Sequence, residues 1–320
     1  MKAHGFIIAL FATILLSYLF PTALSDLPLK EITNIGIGLI FFFYGLKLAP
    51  SELKLGFLNY RLHILIQLAT FVLFPLLTLL FIPFFDGGMQ SRLWLAILFL
   101  GALPSTVSSS VIMVAIARGN LPTAIFNASL SGLIGIVATP LWLSIFMMKS
   151  GEFQILDILL KLFLQVLLPM IIGLLLQPYL GKMARFHSSK LSLFDKSIII
   201  LIVFNSFSNS FTSNLFDTIE AVDLFKLFGI VLVLFLLVYG LLGYVCKLMD
   251  LSLEDTITAK FCGSQKSLIH GTVMIKIIFG NSAGLGLFLL PVMFYHILQL
   301  FLVSIFAENY RKRSLKEGSK

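Results

Sequence analysis

The sequence predicts an all-α integral membrane protein of ten transmembrane helices. Three observations lead there. The 320-residue chain is 58% hydrophobic and 12% charged, with a mean hydropathy of +1.02, whereas a soluble domain carries about 25% charged residues. Its apolar runs have the length of about 20 residues that takes a helix across a bilayer, while barrel strands would be about 10 residues and alternating. No polar stretch between the runs is long enough for a soluble domain.

The spans are expected at 4–21, 33–49, 62–82, 92–117, 121–148, 155–177, 195–213, 223–248, 254–278 and 283–307. The first follows Lys2, and Ala23-Leu24-Ser25 also gives it the look of a signal peptide. Its long apolar run, and the even span count it completes, favour a span. The second and third flank the basic residues Lys47, Lys54 and Arg61. The fourth is interrupted by Leu103-Pro104-Ser105-Thr106-Val107-Ser108-Ser109-Ser110. Pro104 has no backbone donor and clashes with the preceding turn. The fifth carries Asn127, Ser129 and Ser131. A connection near 178–194, with Lys182, Arg185 and Lys190, separates the sixth from the seventh. The seventh holds a polar patch of Asn205, Ser206, Ser208, Asn209 and Ser210, and the eighth ends at Lys247. The ninth contains Phe261-Cys262-Gly263-Ser264-Gln265-Lys266-Ser267, with Gly263 lowering helix propensity. The tenth runs into a basic tail at 311–320.

Most Lys and Arg fall on one side if both termini are cytoplasmic, which is the positive-inside bias. The basic tail is then a topology anchor and not a nucleic-acid site. Cys246 and Cys262 make neither a disulfide framework nor a metal pattern. The abundance of Phe, Ile and Lys fits a bacterial inner-membrane protein.

The chain reads as one transmembrane domain of two halves, about 1–150 and about 151–310, followed by the tail 311–320. Five spans in each half require opposite orientations, the inverted-repeat arrangement. Arg118-Gly119-Asn120 and Phe279-Gly280-Asn281 end the fourth and ninth spans. Aligning them puts Pro104-Ser105-Thr106 against Gln265-Lys266-Ser267, at equal depth. Interrupted helices in matching positions of two halves point to a transporter's binding site.

Lys266 is the residue with most to explain. A cation within a span is costly and usually functional. It lies roughly 16–18 Å beyond Glu254 and Asp255 if the segment is helical, too far to snorkel easily to the interface as Lys260 does. No acidic residue falls mid-span. Three outcomes remain open: an anionic substrate pairs with it, it gives up its proton and serves proton coupling, or carbonyls and hydroxyls solvate it.

Substrate- or ion-binding candidates are Ser105, Thr106, Ser108, Ser109 and Ser110 in one break, and Ser264, Gln265, Lys266, Ser267 and His270 at the other. Asn127 and Ser131 join them from the fifth span. Gln67, Asn205 and Asn209 are candidates to line a cavity. For the hydroxyls, the bland alternative is helix–helix hydrogen bonding.

These segments resemble a known family. Pro104-Ser105-Thr106-Val107-Ser108-Ser109-Ser110 with Ala117-Arg118-Gly119-Asn120, and the Gly263-x-Gln265-x-Ser267 frame, are similar to the broken helices of the bile acid:sodium symporter family. Phe261–Gly280, Phe294-Tyr295-His296 and Phe306-Ala307-Glu308-Asn309-Tyr310 resemble its divergent branch, typified by the animal seventh member and its bacterial relatives. The resemblance implies two inverted five-helix repeats, a panel domain (helices 1, 2, 6, 7), a core domain (3–5, 8–10) with crossing broken helices, and alternating access. Sodium-coupled members carry glutamate where this chain has Phe261 and asparagine where it has Lys266. Their fourth-helix Ser-Asn pair becomes serines, and two hydroxyl ligands fall on Ala124 and Ala128. Gln265 is retained. A fixed Lys266 ammonium is therefore expected to take the place of a sodium ion.

The functional expectation is a secondary transporter of an amphipathic, bile-acid-like organic anion, working in the bilayer, with sodium or a proton as coupling ion and no cofactor. The alternative is a non-transport membrane regulator with the same fold, linked to calcium homeostasis. An intramembrane Ser–Lys enzyme is disfavoured. Ser264 and Ser267 do not face Lys266 on a helix, and no Gly-x-Ser-x-Gly is present.

Overall fold

The computed structural model describes residues 3–48, 59–106, 108–147, 155–280 and 284–317. Those residues are helical apart from short connections, with no strand among them. In chain order the helices are α1 (Ala3–Leu19), α2 (Leu29–Lys47), α3 (Tyr60–Phe84), α4 (Arg92–Ala102), α5 (Ser108–Ile116), α6 (Leu121–Met147), α7 (Ile155–Phe186), α8 (Ser188–Thr212), α9 (Ala221–Leu248), α10 (Leu253–Ser264), α11 (Leu268–Phe279) and α12 (Leu285–Glu317). Seven of them, α2, α3, α6, α7, α8, α9 and α12, are long and apolar enough to cross a membrane. Together with the shorter α1 and the pairs α4–α5 and α10–α11, they make this a multi-pass membrane protein.

Two expectations of connection are corrected. The segment 178–194 is not a loop, because α7 continues to Phe186 and only His187 separates it from α8. The apolar run ends there, but Lys182, Met183, Ala184 and Arg185 are good helix formers and carry the backbone on. The tail behaves alike: α12 stays helical to Glu317. The second break also begins later than Gly263 suggests. Gly263 and Ser264 are still helical, and Gln265 turns the chain into an extended conformation.

The described residues fall into two compact units. The first comprises residues 1–49, 147–224 and 269–290. It gathers α1, α2, α7 and α8, the expected panel set, together with most of α11, which the family resemblance assigns to the core. In this unit α2 and α7 touch backbone to backbone. A Cβ on Gly45 would stand 2.1 Å from the Met170 carbonyl oxygen, and one on Gly173 would stand 2.1 Å from that of Phe42. Lys47 pairs with Asp195 of α8 at 3.6 Å.

The second unit comprises residues 50–146, 225–268 and 291–320. Here α5 ends at a left-handed Arg118 (φ 60°), with Gly119 N–H donating to Val114 O at 2.9 Å. This closes the helix by the six-to-one bond of a Schellman turn. Asn120 then ties the turn to the start of α10: its backbone N–H donates to Glu254 O (3.2 Å) and Thr258 Oγ1 (2.9 Å), and its amide to Asp255 Oδ1 (2.8 Å). Asn59, before α3, donates to the other Asp255 oxygen at 3.0 Å. The starts of α3, α6 and α10 are thereby fixed together, which sets the height of both breaks.

Candidate functional site

The site lies within the second unit and starts from a proline. Pro75 in α3 has no N–H to give Phe71 O, its α-helical partner. The helix accommodates this with a π turn over Ala69–Leu73, in which the Phe74 N–H reaches back to Ala69 O. Thr70 O therefore loses Phe74 as donor, and its π-helical partner would be Pro75 itself. Two successive buried carbonyls, Thr70 and Phe71, thus lose their α-helical backbone donors. Such groups in a membrane interior must be satisfied by protein. Trp142 of α6 gives its indole N–H to Phe71 O at 2.7 Å, and Lys266 gives an ammonium N–H to Thr70 O at 2.8 Å.

The break between α4 and α5 frees four more carbonyls, and each finds a donor. Gly101 O and Leu103 O accept from Lys266 Nζ at 2.6 and 2.8 Å. Ala102 O accepts from Thr139 Oγ1 at 2.8 Å, and Pro104 O from the Ser267 N–H at 2.9 Å. The Ser105 N–H donates to Ser131 Oγ at 2.9 Å. Gly101 is required by crowding, since a Cβ there would lie 2.7 Å from Thr78 Cγ2.

The break between α10 and α11 is closed from α12. Gln299, fully buried, clasps the Lys266 backbone: its Oε1 accepts from the Lys266 N–H and its Nε2 donates to Lys266 O, both at 2.8 Å. Tyr295 OH donates to Ser264 O. Two bonds join the breaks directly: Ser105 Oγ donates to Cys262 O at 2.6 Å, and Ser109 Oγ to Gln265 Oε1 at 2.7 Å.

Lys266 is 1% exposed, with its ammonium on three carbonyls and 4.3 Å from the centroid of the Phe74 ring. Of the three outcomes left open by the sequence, the geometry displays solvation by carbonyls. Its three donors match three acceptors. Hydrogen bonds from a charged donor contribute about 1.5–3 kcal/mol each, and a desolvated cation–π contact about 2 kcal/mol. Together they offset a burial penalty of several kcal/mol.

The structure thus brings Ser105, Thr106, Ser109, Ser110, Ser131, Ser264, Gln265, Lys266 and Ser267 to one crossing. Several hydroxyls are spent locally: Ser110 on Thr106 O and Ser264 on Lys260 O. The Ser108 side chain lies outside the described residues. Asn127 and Gln67 meet each other nearby, the Gln67 amide donating to Asn127 Oδ1 at 3.0 Å. His270 falls in the first unit, edge-on to Phe41 and Tyr44. Asn205 and Asn209 are also there, half-buried on α8. Their neighbour Ser210 accepts from the Gly286 N–H at 3.2 Å, a helix-to-helix bond. Ala124 and Ala128 are fully buried and offer no oxygen. Among the described residues no group of His, Cys, Asp or Glu could hold a metal ion.

Sequence reasoning missed Gln299, Tyr295, Trp142, Thr139 and the π turn. Pro75 inside a span was the available signal, because it predicts freed carbonyls one turn earlier. Nothing local marked Gln299.

The chain is similar to known proteins along nearly its whole length. Residues 4–312 match the model of the SBF-like CPA transporter family. A Pseudomonas aeruginosa protein of unassigned function is 37% identical over 97% of this chain and 93% of its own length. A protein of Escherichia coli K12, provisionally named symporter YfeH, is 31% identical over 97% and 93%. The mouse sodium/bile acid cotransporter 7 is 30% identical over 87% and 83%. The Escherichia coli and mouse relatives are transport proteins by name, and the chain belongs to the SBF-like CPA transporter family.

Proposed function

We propose that the chain is a secondary transporter of an amphipathic, bile-acid-like organic anion, in which the Lys266 ammonium stands where a sodium-coupled member holds its ion. The observation that carries this is the set of three carbonyl oxygens, Thr70, Gly101 and Leu103, around Nζ. Unwound backbone carbonyls are what transporters use to coordinate a monovalent cation. Here the cation is tethered. It would supply positive charge at the crossing, beside the starts of α5 and α11, whose partial positive charge favours an anion. No carboxylate bonds to Lys266 among the described residues.

The wider reading is ten spans in two inverted repeats, about 1–150 and about 151–310, with both termini cytoplasmic in a bacterial inner membrane. Alternating access, on this reading, moves a core domain against a panel domain. The matched interruptions α4–α5 and α10–α11 support the repeat, as do the left-handed residues Arg118 and Gly280 just after each.

The test is counterflow of a labelled bile acid in proteoliposomes, with melting of the purified protein in sodium chloride against choline chloride. The expected result is counterflow without a sodium requirement and no sodium-specific rise in Tm. Saturable stabilisation by sodium would overturn the tethered-cation reading, and absence of counterflow for a panel of organic anions would overturn the substrate class.

A further inference from the structure

We propose that Lys260 and the aromatic residues around it bind the phosphate of an anionic phospholipid, between α9, α10 and α12. Tyr239, Lys260, Phe306, Asn309 and Tyr310 line a cavity of about 340 Å3, and all five lie in the second unit. That volume falls in the range of about 300–1,000 Å3 typical of small-molecule sites. None of the residues grouped at the crossing of the breaks lines it, so the proposal stands independently of the transporter reading.

The cation of this cavity is held by rings and not by a carboxylate. The Lys260 stem runs along Gly243 of α9, where an added Cβ would meet Cδ, Cε and Nζ at 3.7, 3.5 and 3.4 Å. The ammonium then lies 4.0 Å from the centroid of the Tyr239 ring, one turn earlier on α9, and 5.7 Å from that of Tyr310. Stacking on Phe306 at 4.6 Å and on Phe235 at 5.7 Å fixes the Tyr239 ring. The ring faces attract the ammonium without neutralising it.

Among the described residues the Lys260 ammonium makes one hydrogen bond, to the Tyr310 hydroxyl oxygen at 3.2 Å. A lysine has three donors, so N–H groups remain for a ligand. The neighbouring carboxylates are engaged elsewhere. Asp255 of α10 accepts from the Asn59 and Asn120 amides, and Glu308 of α12 accepts from Arg311 at 2.7 and 2.8 Å. The exposed Asn309 adds an amide to the wall. One uncompensated positive charge with spare donors matches one phosphodiester.

The position favours a lipid over a soluble anion. Lys260 stands about one and a half turns beyond Glu254 and Asp255, in the first turn of α10. On α12 the apolar run stops at Phe306-Ala307, and Glu308-Asn309-Tyr310-Arg311-Lys312 follows. The cavity thus straddles the step from apolar to charged sequence, the level at which tyrosines gather and lipid headgroups begin. Phe306 and Tyr239 give an apolar wall to the glycerol and the first acyl carbons. Arg311 and Lys312 on α12, and Lys247 at the end of α9, are exposed, and basic pockets between membrane helices bind anionic headgroups. A choline headgroup fits less well, because the aromatic faces that would take its cation already hold Lys260.

The experiment takes the full chain, stripped of lipid in detergent, and titrates it with phosphatidylglycerol, phosphatidylcholine, inorganic phosphate and a bile acid. Thermal melting and native mass spectrometry read the binding. The expected result is a saturable rise in Tm and a retained lipid with phosphatidylglycerol, and neither with phosphatidylcholine or phosphate. Lys260→Gln should weaken phosphatidylglycerol at least about tenfold, the factor of one charge-assisted hydrogen bond. Arg311→Gln combined with Lys312→Gln should still bind it. Equal retention of phosphatidylcholine, undiminished binding by Lys260→Gln, or loss of binding in the tail variant would each overturn the proposal. Stabilisation by phosphate or by the bile acid that disappears in Lys260→Gln would put a soluble anion in the cavity and overturn the lipid. Should Lys260→Gln not fold, the unaltered chain decides: phosphatidylglycerol with a photoreactive group beside its phosphate should label α9 near Tyr239 and α12 near Phe306–Tyr310, and labelling confined to other helices overturns the site. None of these readouts involves transport, so their failure leaves the transporter reading untouched.

Discussion

Lys266 donates to Thr70 O at 2.8 Å across 196 positions of sequence, and the carbonyl it finds is one that Pro75 has left without a backbone donor. The proline and the lysine are thus two halves of one feature. A π turn frees the oxygen, and a cation on another broken helix fills it. The same ammonium holds Gly101 O and Leu103 O, so α3, the first break and the second break share one charge.

The first prediction concerns that charge. Lys266→Met removes the donor to three buried carbonyls and should cost about 3 kcal/mol or more, as each unsatisfied acceptor costs about 1–3 kcal/mol. Lys266→Asn leaves room at the same oxygens. Its Tm should rise with sodium and not with choline, by the mass action of a ligand that binds only the folded state, while the parent protein shows no such rise. An Asn variant as indifferent to sodium as the parent would show that the carbonyls do not form a cation site.

The second prediction is a coupling between Pro75 and Trp142. Trp142→Phe deletes the donor to Phe71 O and should destabilise by about 1–2 kcal/mol. Pro75→Ala supplies the missing N–H, so α3 can return to α-helical bonding and satisfy Phe71 O itself. The cost of Trp142→Phe should then shrink, giving a double-mutant coupling of about 1 kcal/mol. Additive effects would mean that the indole bond does not answer the proline.

Much of this was legible in the sequence and some was not. The two interruptions were readable because Pro104 and the Gln265-Lys266-Ser267 cluster cannot continue an apolar helix without leaving polar groups to be satisfied. The buried state of Lys266 followed from its distance to the nearest acids. The partners of that lysine were not readable, because backbone carbonyls have no sequence signature and every residue carries one. Gln299 escaped for a related reason: one glutamine in a span reads as lining or glue until its register against the break is known. His270 was grouped with Lys266 as a site candidate, whereas the helix resumes only at Leu268 and His270 falls in the other unit. The segment 178–194 was read as a loop because its charges ended the apolar run, although charged residues at the end of a span extend a helix readily.

The third prediction tests the clasp on the second break. Gln299→Leu leaves the Lys266 N–H and C=O both buried and unpaired, so it should cost about 2–4 kcal/mol. Gln299→Glu keeps the acceptor for the N–H but removes the donor to Lys266 O, and should fall between Gln299→Leu and the parent. Thermal melting of the three proteins in one detergent orders them. A Leu variant as stable as the parent would show that the break is held without the glutamine.

The last prediction belongs to the first unit. Gly45 and Gly173 let α2 and α7 approach until an added Cβ would stand 2.1 Å from a carbonyl oxygen of the other helix. A side chain there cannot be relieved by a rotamer change, since the obstacle is backbone; the helices must separate. Gly45→Ala and Gly173→Ala should each cost more than the about 1–3 kcal/mol of ordinary overpacking. The gain in helix propensity from Gly to Ala, about 1 kcal/mol, works in the opposite direction, so a net loss identifies the contact and not the residue type. Gly229 and Gly240 of α9 supply the control, because nothing stands within 4 Å of a Cβ added at either. Gly229→Ala and Gly240→Ala should leave stability unchanged or raise it. Melting curves in which all four variants behave alike would mean that the close approach of α2 and α7 does not exist in the folded protein.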